Sequence, residues 1–483
     1  MPFLPRARMA RDSDDEPFLL GIGARDRRAP LGAQAAVLRR DLALIHTDAI
    51  AGSVMVGTGE SYLAAFALAL GLGEIVSGYV ATAPLLVGAV LQLVSPAGVR
   101  QLGSHRRWVV LCALLQALSF VPLVVAALLG KLSAAGLLAI ASFYWAGSMG
   151  TGAAWNTWVG TLVPKSLRSR FFARRSRVGQ LALLAGILVG GGILHLGQAR
   201  DWHLLAFAAL FAIAGLARGA SAWLLAHQSE PDPLVEPEPL SPGTAQLARI
   251  PGIRRLLAYL LTLQVGVQIA APYFTAYMLG ERALELSYAA YTGLIAASFV
   301  SKILALPWLG HFAARHGARR LLRFAGLSVA PLPALWTFSH DYGALLLIQL
   351  ASGIAWGAHE LGTFLLFFDA VRPEERTRLL TRYNLANACA IVLGSSIGAV
   401  LLRRHGIDFG GYAVLFWISA CARFATLPLL AWVPDARGSA AVPAIRILAA
   451  RPADGSIDDP VLADQPDSPL ERLSEPSDSP RVR

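Results

Sequence analysis

Residues 210–226 read LFAIAGLARGASAWLLA and residues 415–431 read LFWISACARFATLPLLA. At a constant offset of 205 positions, Leu210, Phe211, Ile213, Ala217, Arg218, Ala220, Leu224, Leu225 and Ala226 meet Leu415, Phe416, Ile418, Ala422, Arg423, Ala425, Leu429, Leu430 and Ala431. Apolar composition alone produces chance leucine and alanine matches. It does not place an arginine inside both apolar segments at one register. A second match lies upstream. Arg168, Arg170, Arg174, Gly186 and Gly190 recur 208 positions later as Arg376, Arg378, Arg382, Gly394 and Gly398. The chain therefore holds two long copies of one unit, and the nature of that unit decides the fold.

The unit is a set of membrane-spanning helices. Of 483 residues, 55% are hydrophobic and 15% charged, against about 25% charged in soluble domains. Twelve apolar segments approach the roughly 20 residues a spanning helix needs. They lie near 49–72, 75–95, 108–129, 134–161, 178–198, 203–226, 256–279, 286–309, 321–338, 344–368, 384–402 and 411–432. They are too long for barrel strands, and helices satisfy their own backbone groups in hydrocarbon. The expected fold is an all-α membrane protein of twelve transmembrane helices, arranged as two six-helix pseudo-repeats.

Basic residues orient the chain. The loops after even-numbered segments two to ten carry 3, 6, 3, 4 and 4 Lys+Arg, with Arg323 counted at the edge of segment nine; the odd-numbered loops carry 5 in all. Positive loops stay in the cytoplasm, so both termini are expected there. The expected organisation is a mostly disordered cytoplasmic arm 1–45, a six-helix half 46–227, a cytoplasmic linker 228–250, a second half 251–433 and a disordered cytoplasmic tail 434–483. The linker holds Pro231, Pro233, Pro237, Pro239 and Pro242 without an apolar period, the composition of a spacer. No cleavable leader is expected, because the longest apolar run in the first 45 residues, Phe18 to Ile22, is short. Only Lys131, Lys165 and Lys302 among the 42 basic residues are lysine. With so much alanine and leucine, that bias reads as GC-rich coding and not as nucleic-acid binding. Cys112, Cys389 and Cys421 lie in apolar segments and show no metal or disulfide spacing.

Two six-helix halves of equal topology, joined by a cytoplasmic linker, resemble the major facilitator superfamily of secondary transporters. The superfamily's loop motif between helices eight and nine is matched by Gly310, Arg315, Gly317, Arg319 and Arg320. Its first copy, between helices two and three, keeps Gly103, Arg106 and Arg107. The motif's aspartate is absent from both, replaced by Ala314 and Arg100. The resemblance implies halves that rock about a central site lined by helices one, four, seven and ten, and a protein working as a monomer.

Polar residues in those four segments are the candidates for solute or proton binding. Glu60 lies near the middle of segment one; an acid at that depth costs about 2.5–3.5 kcal/mol on the insertion scale, so it faces a cavity, is paired, or is protonated. Segment ten carries Trp356, His359, Glu360 and Thr363, of which 356, 360 and 363 share a face. Glu60 and Glu360 read as proton or solute acids, or else as contacts to a neighbouring helix. Trp155 and Asn156 in segment four read as an aromatic wall with a polar handle, or as packing. Gln264 and Gln268 form a polar stripe in segment seven, or simply join helices. Arg218, Arg423 and Lys302 sit toward the cytoplasmic ends of their segments and are expected to snorkel. Arg106, Arg107, Arg168, Arg170, Gly310, Arg315, Gly317, Arg319, Arg376 and Arg378 are candidates for topology or a cytoplasmic gate. The glycine pairs 186/190 and 394/398 have the spacing that lets helices approach closely.

No Walker loop, nucleophile elbow or HExxH is present, so neither an enzyme nor an ATP-driven pump is expected, and no cofactor or metal. The expectation is a secondary transporter in the lipid bilayer of a bacterial cytoplasmic membrane. It moves a small-molecule solute with the proton as coupling ion and binds no nucleic acid. The aromatic segment four favours efflux of an apolar, amphipathic or cationic solute. The alternatives are a uniporter or importer of a neutral metabolite, or a membrane assembly, lipid- or pigment-handling factor on the same fold.

Overall fold

The computed structural model describes residues 31–163, 165–230, 251–370 and 373–431. The remainder of the expected arm, linker and tail lies outside the described residues. Twelve helical units match the twelve apolar segments. In the first half, α1 comprises Leu31–Thr58, a 3-10 turn Glu60–Tyr62 and Leu63–Ala69. It is followed by α2 (Glu74–Val80 and Ala83–Leu102), α3 (His105–Leu118 and Phe120–Leu129), α4 (Ala134–Leu162), α5 (Lys165–Gln198) and α6 (His203–Ala226). In the second, α7 comprises Pro251–Gln268, a 3-10 turn Ala271–Tyr273 and Phe274–Leu279. Then come α8 (Tyr288–His316), α9 (Ala318–Val329 and Leu332–Leu335), α10 (Tyr342–Ala370), α11 (Pro373–His405) and α12 (Phe409–Ala431). Ten of these units are long and apolar enough to cross a membrane. Of the other two, α4 is diluted by Gly, Ser and Trp, and α9 is short and broken before Pro331.

The breaks have chemical causes. Proline lacks an N–H and clashes with the preceding turn, and Pro84, Pro122, Pro272 and Pro331 each lie at or just after a break. In α1 the break falls at Gly57-Thr58-Gly59, where side chains compete for backbone carbonyls: Thr58 donates to Val54 O at 2.8 Å and Ser61 to Val56 O at 2.9 Å. Each break frees carbonyls that hydrocarbon cannot satisfy. Buried Arg423 supplies donors for two of them, Val329 O at 3.1 Å in α9 and Val267 O at 3.4 Å in α7. The sequence expectation that Arg423 snorkels outward is thus corrected: its side chain runs inward because helix breaks left acceptors there.

The arm and linker boundaries also shift. Helix α1 starts at Leu31, inside the expected arm, and Arg40 reaches His227 O at 3.1 Å. Asp41, 2% exposed, accepts from Ser229 N at 3.2 Å. The first linker residues are therefore docked. The side chain of Glu230 takes Ser104 Oγ at 2.5 Å and Arg106 N at 3.0 Å, closing the N-terminus of α3.

The two halves meet mainly at the end of the bundle away from the described chain ends. One large apolar core there contains residues of both, among them Tyr62, Phe66, Val80, Ile269, Tyr273, Tyr277 and Tyr291. At the opposite end the cores are separate, one within the first half and two within the second. Side-chain hydrogen bonds between the halves at the joined end include Tyr62 to Thr292 at 3.4 Å, Tyr79 to Ser396 at 3.4 Å and Thr82 to Ser395 at 3.1 Å.

The structure extends the repeat. Tyr62 and Tyr273 close equivalent 3-10 turns, and their hydroxyls donate to Ile187 O at 2.5 Å and Ser395 O at 2.6 Å, acceptors 208 positions apart. Gly190 and Gly398, also 208 apart, face those two tyrosines, and a Cβ at either would stand within 2.6 Å of a tyrosine ring. Gly186 meets the backbone of Gly57. Gly190→Leu and Gly398→Leu are therefore expected to cost about 1–3 kcal/mol or more each through overpacking. A thermal melt of purified protein checks this; melts unchanged in both variants would refute the close-contact role.

Candidate functional site

Four inward-facing polar groups are built where helices α1, α4, α5 and α6, or α8 and α10, converge. The first is Glu60. The α1 break presents its carboxylate to α4, where the Tyr144 hydroxyl donates to Glu60 Oε2 and lies 3.2 Å from Met55 Sδ. Glu60 is 9% exposed, so the turn places a carboxylate deep in the bundle, against Tyr144.

The second group was not singled out from sequence. Asp48, 5% exposed, sits on α1 twelve residues before Glu60. Its Oδ1 accepts from Ser221 Oγ at 2.6 Å, and its Oδ2 is 3.6 Å from Arg175 of α5. Arg218 donates to the same serine at 2.7 Å. Arg218 therefore turns inward to this cluster and does not snorkel, because an acid lies within reach. The guanidinium carbon of Arg175 lies over the Trp155 ring of α4, 4.4 Å from its centroid. Trp155 thus has a cation on one face, and Asn156 beside it is half-buried. The signal that could have found Asp48 was present: the expected α1 span started one residue too late to include it.

The third group is Glu360 on α10, paired with Lys302 of α8 at 3.3 Å; their side chains are 15% and 2% exposed. This corrects the third snorkelling expectation. Lys302 points into the bundle because a carboxylate on the next helix is nearer than the interface, and Phe299 lies 5.0 Å below its ammonium. The fourth is His359. Although adjacent in sequence to Glu360, it turns toward α7, with ring centroids 5.7 Å from Trp356 and 6.3 Å from Tyr259. Glu360 and His359 are not brought together. Gln264 and Gln268 are buried, and Gln268 packs along Gly394 of α11.

The gate candidates are scattered. Arg106 grips the end of the first half, donating to Gln228 O at 3.0 Å, and Arg319 does the same in the second at Ala431 O, 2.5 Å. Arg107 and Arg315 are exposed. Gly317 takes φ +85° between α8 and α9, a conformation favouring glycine, whereas Gly310 has open space around it. Arg168 and Arg170 begin α5 and Arg376 and Arg378 begin α11; their side chains lie outside the described residues.

The internal repeat separates shared scaffold from features that only one half has. Both halves keep the inward-turned arginine 218/423, the tyrosine 62/273 and the glycine contacts. By the register of the two tyrosine turns, Asp48 and Glu60 correspond to Tyr259 and Ala271; by the α5/α11 register, Arg175 corresponds to Tyr383. The acids and their cation are thus confined to one half, and a scaffold required by both would not be.

These features define a multi-pass integral membrane protein of two pseudo-symmetric six-helix halves with polar side chains turned inward. Residues 256–454 match the sequence model of the Major Facilitator Superfamily. Among solved structures, the chain is similar to a mutant of the nucleoside transporter NupG, at 12% identity, 81% of this chain, 99% of that one and TM-score 0.62. It is similar to the xylose transporter XylE from E. coli in a partially occluded inward-open conformation, at 13% identity, 84% and 99% coverage and TM-score 0.57. It also resembles a bacterial homologue of the human lysosomal transporter Spinster, inward-facing and unoccupied, at 14% identity, 83% and 94% coverage and TM-score 0.54. Comparison with curated proteins by sequence gave no match. The chain has the major-facilitator fold over both halves, and its second half carries the superfamily's sequence signature.

Proposed function

We propose that this protein is a secondary active transporter that moves a small solute by alternating access, coupled to protons through Glu60. The observation that carries the reading is Glu60 itself: a buried carboxylate within a membrane-spanning helix, at a helix break, held by the Tyr144 hydroxyl of α4. Its two charge states differ in energy by an amount that depends on whether water reaches it, which links protonation to conformation. Halves joined at one end and separate at the other correspond to one end state of a rocking cycle. The basic loops put the separate end in the cytoplasm, so the state is inward-facing.

The test is reconstitution into liposomes loaded with a pH-sensitive dye, with solute gradients applied class by class. A solute gradient that drives protons across the membrane is expected for at least one class. Proton movement that never depends on solute would overturn the reading. Efflux and uptake by antiport or symport give opposite signs of the dye response. Orientation has its own check. A cysteine at Pro239→Cys should resist an impermeant thiol reagent applied to intact cells, while Gly73→Cys should react; the reverse pattern would invert the topology.

A further inference from the structure

We propose that the 3-10 turn Glu60–Tyr62 is the lever that carries the protonation state of Glu60 to the seam between the halves. Tyr62 is its positioning residue and Thr292 of α8 the contact across the seam; this rests on the transport reading above. A 3-10 helix has three residues per revolution, so residues two apart point about 120° away from each other. Glu60 accordingly meets Tyr144 on α4, while Tyr62 leaves on another side and meets α5 and α8. The acid and the seam contact thus sit on one three-residue element. A stretch of 3-10 geometry inside a longer helix often marks a hinge.

The seam contact is specific. The Tyr62 hydroxyl has one proton and gives it to Ile187 O, at 2.5 Å within its own half. Its oxygen is left to accept from Thr292 Oγ1 of the other half, at 3.4 Å. Gly191 of α5 makes room for that threonine: a Cβ there would stand 2.1 Å from Thr292 Oγ1. Tyr62 and Thr292 are both buried, and because they belong to different halves they separate when the joined end opens.

The repeat supplies an internal control. In α7 the turn Ala271–Tyr273 also ends on a tyrosine at the seam. Its hydroxyl holds Ser395 O at 2.6 Å, and its ring lies 2.4 Å from where a Cβ on Gly78 of α2, in the other half, would stand. Ala271 occupies the place of Glu60. Turn and tyrosine are therefore shared, and only the first turn carries an acid. The ionisable groups around that acid are Tyr144 of α4, with Arg218 of α6 acting on it, and Tyr62, with Tyr291 of α8 acting on it. Tyrosine and arginine do not ordinarily titrate between acid and neutral pH. Asp48 and Arg175 lie about 18 Å along α1, at 1.5 Å per residue over twelve residues. His195 of α5 and His203 of α6 are exposed, and both are kept in every variant below. A pH response that Glu60→Gln removes therefore belongs to Glu60.

The experiment measures the distance across the joined end in liposomes, with spin labels at Lys131→Cys and Glu281→Cys on exposed loops of the two halves. The full-length chain is used, with its three native cysteines replaced by alanine. The fraction open at this end is expected to differ between acid and neutral pH, and Glu60→Gln should remove the difference. Tyr62→Phe and Thr292→Val should each abolish the pH difference and raise the open fraction about threefold, by removing one hydrogen bond of the closed state. Thr292→Ser should restore both. Thr292→Val leaves the bond from Tyr62 to Ile187 in place, so it decides the matter should Tyr62→Phe fail to fold. Tyr273→Phe loses the equivalent bond within its own half and should keep the pH difference. A pH difference that is absent from the unsubstituted protein, survives Glu60→Gln, persists in Thr292→Val, or is abolished equally by Tyr273→Phe would overturn the inference. Persistence in Thr292→Val with loss in Glu60→Gln would leave coupling through Glu60 standing without this lever. The transport reading fails separately, by proton movement that never depends on solute, whatever these distances show.

Discussion

Glu60→Gln is expected to reduce uphill, uncoupler-sensitive transport to the background of protein-free liposomes while solute exchange down its gradient persists. The substitution keeps the side chain's shape and its hydrogen bond with Tyr144, whose hydroxyl donates to an amide oxygen as readily as to a carboxylate. It removes one property, the ability to take up and release a proton. A transporter whose coupling acid is fixed neutral still changes conformation with solute bound, so counterflow survives, but solute movement is no longer tied to proton movement. Counterflow and pH-driven accumulation measured on the same liposomes separate the two. Full uphill transport in Glu60→Gln would remove this acid from coupling. Loss of counterflow together with accumulation would assign it to solute binding instead.

The second large effect is on stability. Lys302 and Glu360 are nearly enclosed between α8 and α10, and removing one member of a buried pair leaves the other charge uncompensated, at about 3–5 kcal/mol. Lys302→Met and Glu360→Gln should each lower the thermal midpoint sharply. The double variant should recover most of the loss, because a neutral pair of similar size is close to isoenergetic with the ion pair. Melts of the two single variants and the double variant form a cycle whose coupling energy is the result. Additive losses would show that the pair contributes nothing as a pair. The same cycle, run for uphill transport, tests whether Glu360 carries protons: its pairing with Lys302 points to a structural role, so coupling should survive in the double variant.

Helix number and the two-fold repeat were legible in the sequence because each is a property of consecutive residues; helix length was not, since α1, α5 and α11 extend well beyond their apolar segments. Hydropathy over about 20 positions identifies a span. Arginine at one register in residues 210–226 and 415–431 identifies the repeat. The shared face of Trp356 and Glu360 follows from helical spacing, as does the divergence of His359 from Glu360. The repeat of α1 on α7 was not legible. It is carried by Tyr62 and Tyr273, whose flanking residues differ, and it emerged only when both hydroxyls were found on carbonyls of equivalent helices.

Partner choice was decided by the tertiary structure. Lys302, Arg218 and Arg423 have the depth and length that suit snorkelling, and sequence alone favours that outcome. All three turn inward, to Glu360 58 positions away, to a cluster on Asp48, and to carbonyls freed by breaks in α7 and α9. Asp48 was passed over at the edge of a hydropathy window, yet the packing of α5 and α6 against α1 brings it both Ser221 and Arg175. A sequence fixes which residues lie on a helix and how deep they sit. The energy of a charge in the membrane depends on what the neighbouring helices place within a few ångströms of it, and only the folded chain supplies that.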